Sequence, residues 1–176
     1  METGVAGIDY STFHADVVII PLHGEAEDAK WYRAPLRDKK VEESMQAFDA
    51  ARRGTRGFFV SVIPWRNVTS AFIEAPIPGG KSNMTIVKLS RLQGSLLHAI
   101  PQHVRVEETH PTEWKGILTG NKVATKEQVK ECALELGFRP VTKGEDEVQD
   151  AFDAFGMCWA LKHLTIGAMR KLEMRF

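Results

Sequence analysis

Gly4-Val5-Ala6-Gly7-Ile8-Asp9-Tyr10-Ser11-Thr12-Phe13-His14-Ala15-Asp16-Val17-Val18-Ile19-Ile20-Pro21-Leu22 reads as two strands joined by a short polar turn. Residues 4–10 are largely apolar up to an acid, Ser11-Thr12 reverses the chain, and Val17 to Ile20 is apolar on both faces. Pro21 and the polar 23–28 segment make a second turn. Lys30 to Ala34 then alternates in character, as a more exposed third strand does. Three consecutive antiparallel strands are the simplest arrangement.

Asp9 sits where burial is expected, and three further acids share that oddity. Glu74 ends the apolar run Ala71-Phe72-Ile73, and Asp150 and Asp153 lie three apart on a helix of otherwise bulky residues. Positions three apart on a helix face the same way. Carboxylates kept ionised in poorly hydrated surroundings are paired or bound to metal. No matching set of Lys or Arg lies beside these in sequence, so divalent cations are their natural partners and a metal-dependent nuclease is the matching function class. Taken singly, Asp9 also suits a turn, and Asp150 with Asp153 a solvated helix face.

The remaining elements follow from helical spacing and caps. Asp38 can cap a helix with Val41, Met45, Phe48, Ala51 and Arg52 on one side, which Gly54 and Gly57 interrupt; Phe58 to Ile63 reads as a further helical turn or a strand, the stop at Pro64-Trp65 favouring helix. Ser82 can cap the next, whose stripe is Ile86, Leu89, Leu92, Leu96, Leu97 and Ile100. Gly94 inside it is unfavourable by roughly 1 kcal/mol relative to Ala, which a close neighbouring backbone would explain. His103 to Glu107 reads as a short strand, and 115–130 as a loop followed by a helix start with Thr125 and Gln128 in a capping box. A last helix begins near Asp146 and runs past Leu161. The order predicts a mixed α/β sheet sandwiched by helices.

The chain has 176 residues, enough for one domain with a sizeable core. Its 23 basic and 23 acidic residues cancel, so net charge is silent about nucleic acid. Segregation is not. Residues 115–130 carry four lysines (Lys115, Lys122, Lys126, Lys130) against one glutamate, and 81–91 carries Lys81, Lys88 and Arg91. A neutral protein with a basic face still binds phosphates. Lys126 opposes the helix dipole, a small penalty that a bound phosphate reverses. Gly120 allows close backbone approach, with Asn121 beside it. A solvated lysine face is the alternative.

Cys132 and Cys158 fall on apolar helix stripes and read as buried small hydrophobes rather than a disulfide or zinc site. That suits a reducing compartment. With no signal peptide or membrane-length apolar stretch, a soluble cytoplasmic protein is the default. The six histidines show no ligand spacing and are assigned no role.

In order, Gly7-Ile8-Asp9, Phe72-Ile73-Glu74, Lys88 to Gly94, Trp114-Lys115, Thr119-Gly120-Asn121, Ala124 to Val129 and Asp150 to Ala154 resemble the RuvC-type Holliday junction resolvases of the RNase H-like superfamily, over roughly residues 4–164. The resemblance implies an RNase H-like mixed sheet, three antiparallel strands then parallel ones, flanked by helices on both faces. It implies a single nuclease domain over 1–176 with a basic helical extension from about 165. The small size and the basic tail Arg170-Lys171 suit a phage-encoded relative, acting in the host cytoplasm.

It further implies a crossover junction endodeoxyribonuclease, a homodimer that resolves four-way DNA junctions by paired symmetric nicks. Two magnesium ions, or manganese in their place, would be held with Asp9 bridging, Glu74 on one ion, and Asp150 and Asp153 on the other. DNA contacts would fall on Lys81, Arg91, Lys115, Gly120, Asn121, Lys122 and Lys126, with no membrane and no small-molecule substrate. The rivals are another RNase H-like nuclease acting on branched DNA or RNA–DNA hybrid, and a non-catalytic junction-binding protein. Two departures stand out. Ala75-Pro76-Ile77-Pro78-Gly79-Gly80 lacks the aromatic wedge that family members often carry there, and the hairpin after Asp9 is shorter than usual. The Ile86 to Ile100 stripe suits either a two-fold contact between subunits or the chain's own core.

Overall fold

Every residue of the first strand, β1 (Gly4–Tyr10), is buried, so both faces of the sheet must be covered. In the computed structural model, which describes residues 3–11, 13–35, 45–76, 83–140 and 149–173, they are. β1 is central. It pairs antiparallel with β2 (His14–Pro21), Ile8 opposite Val17, and parallel with β4 (Val68–Glu74), Ile8 beside Ile73. β3 (Lys30–Pro35) adds an antiparallel edge and β5 (Arg105–Thr109) a parallel one, giving the order β3-β2-β1-β4-β5. The expected architecture, three antiparallel strands followed by parallel ones between helical layers, is the observed one.

The period of two along a strand divides the core. Ala6, Ile8, Val17 and Ile73 face one layer, where Phe48 and Phe59 of α1 (Met45–Ser61) meet Leu89, Leu92 and Leu96 of α2 (Asn83–Ala99). Val5, Val18, Ile20 and Phe72 face the other. There they pack with α3 (Pro111–Thr119), α4 (Lys126–Glu135) and above all α5 (Gln149–Glu173), through Phe152, Phe155, Met157 and Cys158. Phe155 stacks on Phe138 with ring centroids 4.4 Å apart. Leu89, Leu92, Leu96 and Ile100 are buried within this chain, so the core alternative for that stripe holds for them, while Leu97 is exposed.

Several expectations need correction. Residues 115–119, expected in a loop, are the C-terminal half of helix α3 (Pro111–Thr119). Its N-cap is His110, whose side chain accepts from the Thr112 N–H, while Glu113 reaches back to the His110 N–H at 3.1 Å and Pro111 sits in the first turn. β5 starts at Arg105 because the Val104 N–H closes a turn onto the Pro101 carbonyl. The close neighbour expected at Gly94 is not there: among the described residues nothing lies within 4 Å of where its Cβ would be. Both cysteines are free, Cys158 fully buried and Cys132 partly so. Asp38, Val41, Lys81, Ser82, Asp146 and residues 77–80 lie outside the described residues.

Candidate active site

Asp9 and Glu74 reach one point because β1 and β4 run parallel. Ile8 pairs with Ile73, so the next residues of both strands emerge side by side. Both project toward α5, since Asp9 follows Ile8, which faces the opposite layer. Asp9 is only 6% exposed, and its carboxyl accepts the Tyr10 N–H at 2.8 Å.

The α5 pair arrives through a close approach. A Cβ on Gly7 would lie 2.0 Å from the Ala154 carbonyl oxygen and 2.5 Å from the Cys158 nitrogen, so the helix backbone rests directly on the strand. Glycine at position 7 is what lets the first turn of α5 descend to Asp9. Asp9, Asp150 and Asp153 then each offer a carboxylate oxygen, all within 4.8 Å of one another. Glu74 lies outside that tight trio, yet it is near enough to act on Asp9 by charge and by a hydrogen bond. The four predicted acids are therefore in one place.

Their protonation reflects crowding. Burial, then the negative charges of Glu74, Asp150 and Asp153, holds the Asp9 carboxyl well above the usual carboxylate range. Burial is also the main cause for Asp153, pushed up to about 6 against the opposing pull of Lys126. Asp150 differs. Burial alone would raise it, but a hydrogen bond and charge from His14, with the charges of Lys126 and Arg33, bring it below its ordinary value.

Among the described residues, ion pairs reach Asp16, Asp49, Glu107 and Asp150, and none reaches Asp9, Glu74 or Asp153. A cluster of carboxylates with a deficit of positive charge and oxygen donors alone suits a hard divalent cation such as Mg²⁺ or Mn²⁺. The donor set fits.

With this geometry, two solved structures compare closely in fold. The Thermus thermophilus RuvC structure matches with a TM-score of 0.65 at 20% identity, over 94% of this chain and 97% of that one. T. thermophilus RuvC in complex with Holliday junction substrate matches at 0.69 and 17% identity, over 94% and 96%. The fold is that of RuvC. No family model matches the sequence, and no curated protein does.

On this RuvC-like frame the basic residues divide. Lys126 opens α4, exposed, close enough to Asp150 and Asp153 to act on both by charge. Gln149 ties the two elements, its Nε2 donating to Asp153 Oδ1 at 3.3 Å and to the Lys126 carbonyl at 3.4 Å. The Thr125–Gln128 capping box is present.

Lys115 is on α3 and turned inward. Its Nζ donates to the Ala124 carbonyl at 2.9 Å and lies over the Trp114 ring, so its first task is to hold the 120–124 turn. Gly120 ends α3 with φ 74°, in the left-handed region, its N–H donating to the Gly116 carbonyl. Asn121 Oδ1 accepts from the Val123 N–H at 3.1 Å, and Lys122 is exposed. Arg91 pairs with Asp49 at 3.3 Å on the opposite helical layer. Among the described residues no helix is long and apolar enough to cross a membrane.

Sequence reading missed His14. Its Nε2 is 2.6 Å from Asp150 Oδ2 and 3.4 Å from Asp16 Oδ2. Only the β1–β2 turn and the arrival of α5 bring it there, so spacing along the chain carried no signal.

The raised carboxyls set a pH test. A native carboxyl that titrates higher than in the unfolded chain favours folding when protonated, and loses that contribution as pH rises through its native value. Asp153, moving from 3.8 to about 6, therefore weakens the metal-free protein between roughly pH 4 and pH 7. Metal-free Asp153→Asn should be more stable than wild type at pH 7.5 by about 2 kcal/mol, with little difference at pH 4. Thermal denaturation across that range checks it, and millimolar Mg²⁺ should restore the wild type selectively.

Proposed function

We propose that this protein is a divalent-metal-dependent endodeoxyribonuclease that resolves four-way DNA junctions by paired, symmetric nicks. The observation that carries the reading is the meeting of Asp9, Glu74, Asp150 and Asp153 at one point of a RuvC-like fold. The matched T. thermophilus RuvC was solved with a Holliday junction substrate, which favours branched DNA over an RNA–DNA hybrid.

In this mechanism the four carboxylates hold two Mg²⁺ ions, with Mn²⁺ an acceptable substitute. When bound, such ions supply a nucleophile at neutral pH and a counter-charge for the leaving oxygen. Asp9 would contribute a carboxylate that burial first, and the other three acids after it, hold against ionisation in the metal-free state. The first turn of α5 brings Asp150 and Asp153 to it from the other side. Lys126, at the exposed start of α4, binds the DNA backbone next to the scissile phosphate. Lys122, Gly120 and Asn121 extend that surface, with Lys115 shaping it from behind. Lys81 and Arg91 complete the DNA contacts in this reading.

Opposed nicks need two sites, which a symmetric dimer of this single nuclease domain provides. Exposed Met84 and Val87 of α2 offer apolar surface for the second copy. Two free cysteines agree with a cytoplasmic setting.

The deciding experiment is the product pattern on an immobile four-way junction, compared with a fork, a linear duplex and an RNA–DNA hybrid, with Mg²⁺. Paired cuts on opposing strands of the junction are expected. Equal cutting of linear duplex, or preference for the hybrid, defeats the junction reading, and binding without any cutting supports a structural role instead. Lys126→Ala should weaken junction binding several-fold and lower the log–log salt slope by about 1, measured as Kd from 50 to 200 mM salt. An unchanged slope removes Lys126 from the DNA surface.

A further inference from the structure

Beside the acid cluster lies a polar group that the catalytic reading leaves unused. Asp16 of β2 is fully buried, directly opposite Arg33 in the β2–β3 register. Its Oδ1 accepts from Trp31 Nε1 at 2.6 Å and Arg33 Nε at 2.9 Å, and its Oδ2 from Arg33 Nη2 at 3.2 Å. The guanidinium also lies 5.0 Å from the centre of the Trp31 ring, which restrains it further. A buried carboxylate with a stacked arginine and an indole donor is a rigid fixture.

His14 stands two residues earlier on the same strand and so shares the face of Asp16. Its Nε2 meets Asp150 Oδ2 at 2.6 Å and Asp16 Oδ2 at 3.4 Å. One ring nitrogen confronting two carboxylates must carry the hydrogen, because a lone pair there would face two acceptors. The surroundings thus select the Nε2–H form. The ligand atoms of His14, Asp16 and Asp150 also fall within 4.8 Å of one another, which raises the question of a cation. Arg33 answers it: both Asp16 oxygens are already engaged by donors, and an ion there would sit against a guanidinium.

We infer that His14 is a positioning residue, its Nε2–H gripping Oδ2 of Asp150 and the braced Asp16 behind it fixing where that carboxylate points. The inference rests on the proposed metal-binding role of Asp150. It leaves Oδ1 of Asp150 for the pocket shared with Asp9 and Asp153. It also ties that pocket to the β2–β3 edge. Hydrogen-bonded partners of this kind typically set metal affinity within 10- to 100-fold.

The test measures Mn²⁺ affinity of the full chain by electron paramagnetic resonance, for wild type, His14→Ala and His14→Gln, with folding checked by thermal denaturation. Glutamine keeps an N–H donor at similar reach. His14→Ala should weaken Mn²⁺ binding by roughly 10- to 100-fold, and His14→Gln should recover most of the loss. On junction DNA, kcat should fall in the same order with KM unchanged. Independently of metal, imidazole nitrogen NMR of the apo protein should show His14 protonated at Nε2.

Wild-type Mn²⁺ affinity in His14→Ala, a glutamine variant no better than alanine, or an Nδ1–H form of His14 each overturns the inference. If wild type binds Mn²⁺ and the variants follow the expected order but no branched DNA is cut, the nuclease reading fails and this one stands. If wild type cuts junctions and His14→Ala does so with unaltered Mn²⁺ affinity, only this one fails.

Discussion

Asp9→Asn will abolish junction cleavage while leaving junction binding intact. Asn is nearly isosteric and keeps the oxygen that accepts the Tyr10 N–H, so β1 keeps its local geometry. It removes the charge at the point where Glu74, Asp150 and Asp153 converge. Losing the central carboxylate of a metal-dependent site should cost at least ~10³ in rate, about 4 kcal/mol of barrier. The fold, by contrast, should gain. Asp9 is buried and its carboxyl is held well above the usual range, so ionising it at neutral pH opposes folding in the metal-free protein. A higher metal-free melting temperature at pH 7.5, unchanged Kd for junction DNA in Ca²⁺ or EDTA, and no detectable nicks in Mg²⁺ form the expected triple result. Cleavage and binding lost together, with a lower melting temperature, would assign Asp9 to structure instead.

The clarity of Asp9 in the sequence and the obscurity of His14 have the same physical origin. A carboxylate ending an apolar run contradicts its local context, and that contradiction can be read without knowing where the chain goes next. The same holds for Glu74 after Ala71-Phe72-Ile73, and the parallel register that joins the two acids comes with the strand order. Asp16 contradicts its context just as strongly, inside Ala15-Asp16-Val17, but its partner Arg33 is 17 residues away and meets it only through antiparallel pairing. His14 depends on a still longer link, 136 residues to Asp150. Pattern along a chain reports the environment a residue must tolerate; it does not report which distant side chain makes that environment tolerable.

Helix α3 was obscured for a different reason. It is nine residues long and its N-cap is a histidine, outside the usual set of Ser, Thr, Asp and Asn. The signal that could have exposed it was Pro111 at the first position with Glu113 two residues on. Burial of Trp114 at 1% exposure draws α3 against α5 and sends the neighbouring Lys115 to the Ala124 carbonyl, a destination that the run of lysines over 115–130 does not announce. The two glycines show the same limit. Glycine is disfavoured in helix and strand interiors alike, and nothing along the chain distinguishes Gly94, with its open surroundings, from Gly7, where another backbone rests.

Gly7→Ala will therefore be among the most damaging single changes in this protein, and Gly94→Ala will not. The methyl group at position 7 would meet two backbone atoms, the Ala154 oxygen at 2.0 Å and the Cys158 nitrogen at 2.5 Å. Neither can swing aside as a side chain could. Relief requires α5 to lift from β1, unpacking Phe155, Met157 and Cys158 from the sheet. A cost of about 3 kcal/mol or more is expected, which for a chain of this size lowers the melting temperature by roughly 6–12 °C. Function should suffer beyond that loss. Lifting α5 withdraws Asp150 and Asp153 from Asp9, so Mn²⁺ affinity should collapse even at temperatures where the variant remains folded. Gly94→Ala supplies the control: its Cβ enters open space on an exposed helical face, and a gain of about 0.5–1 kcal/mol is expected. Equal melting temperatures for the two variants would mean that α5 does not rest on β1 as closely as the glycine implies.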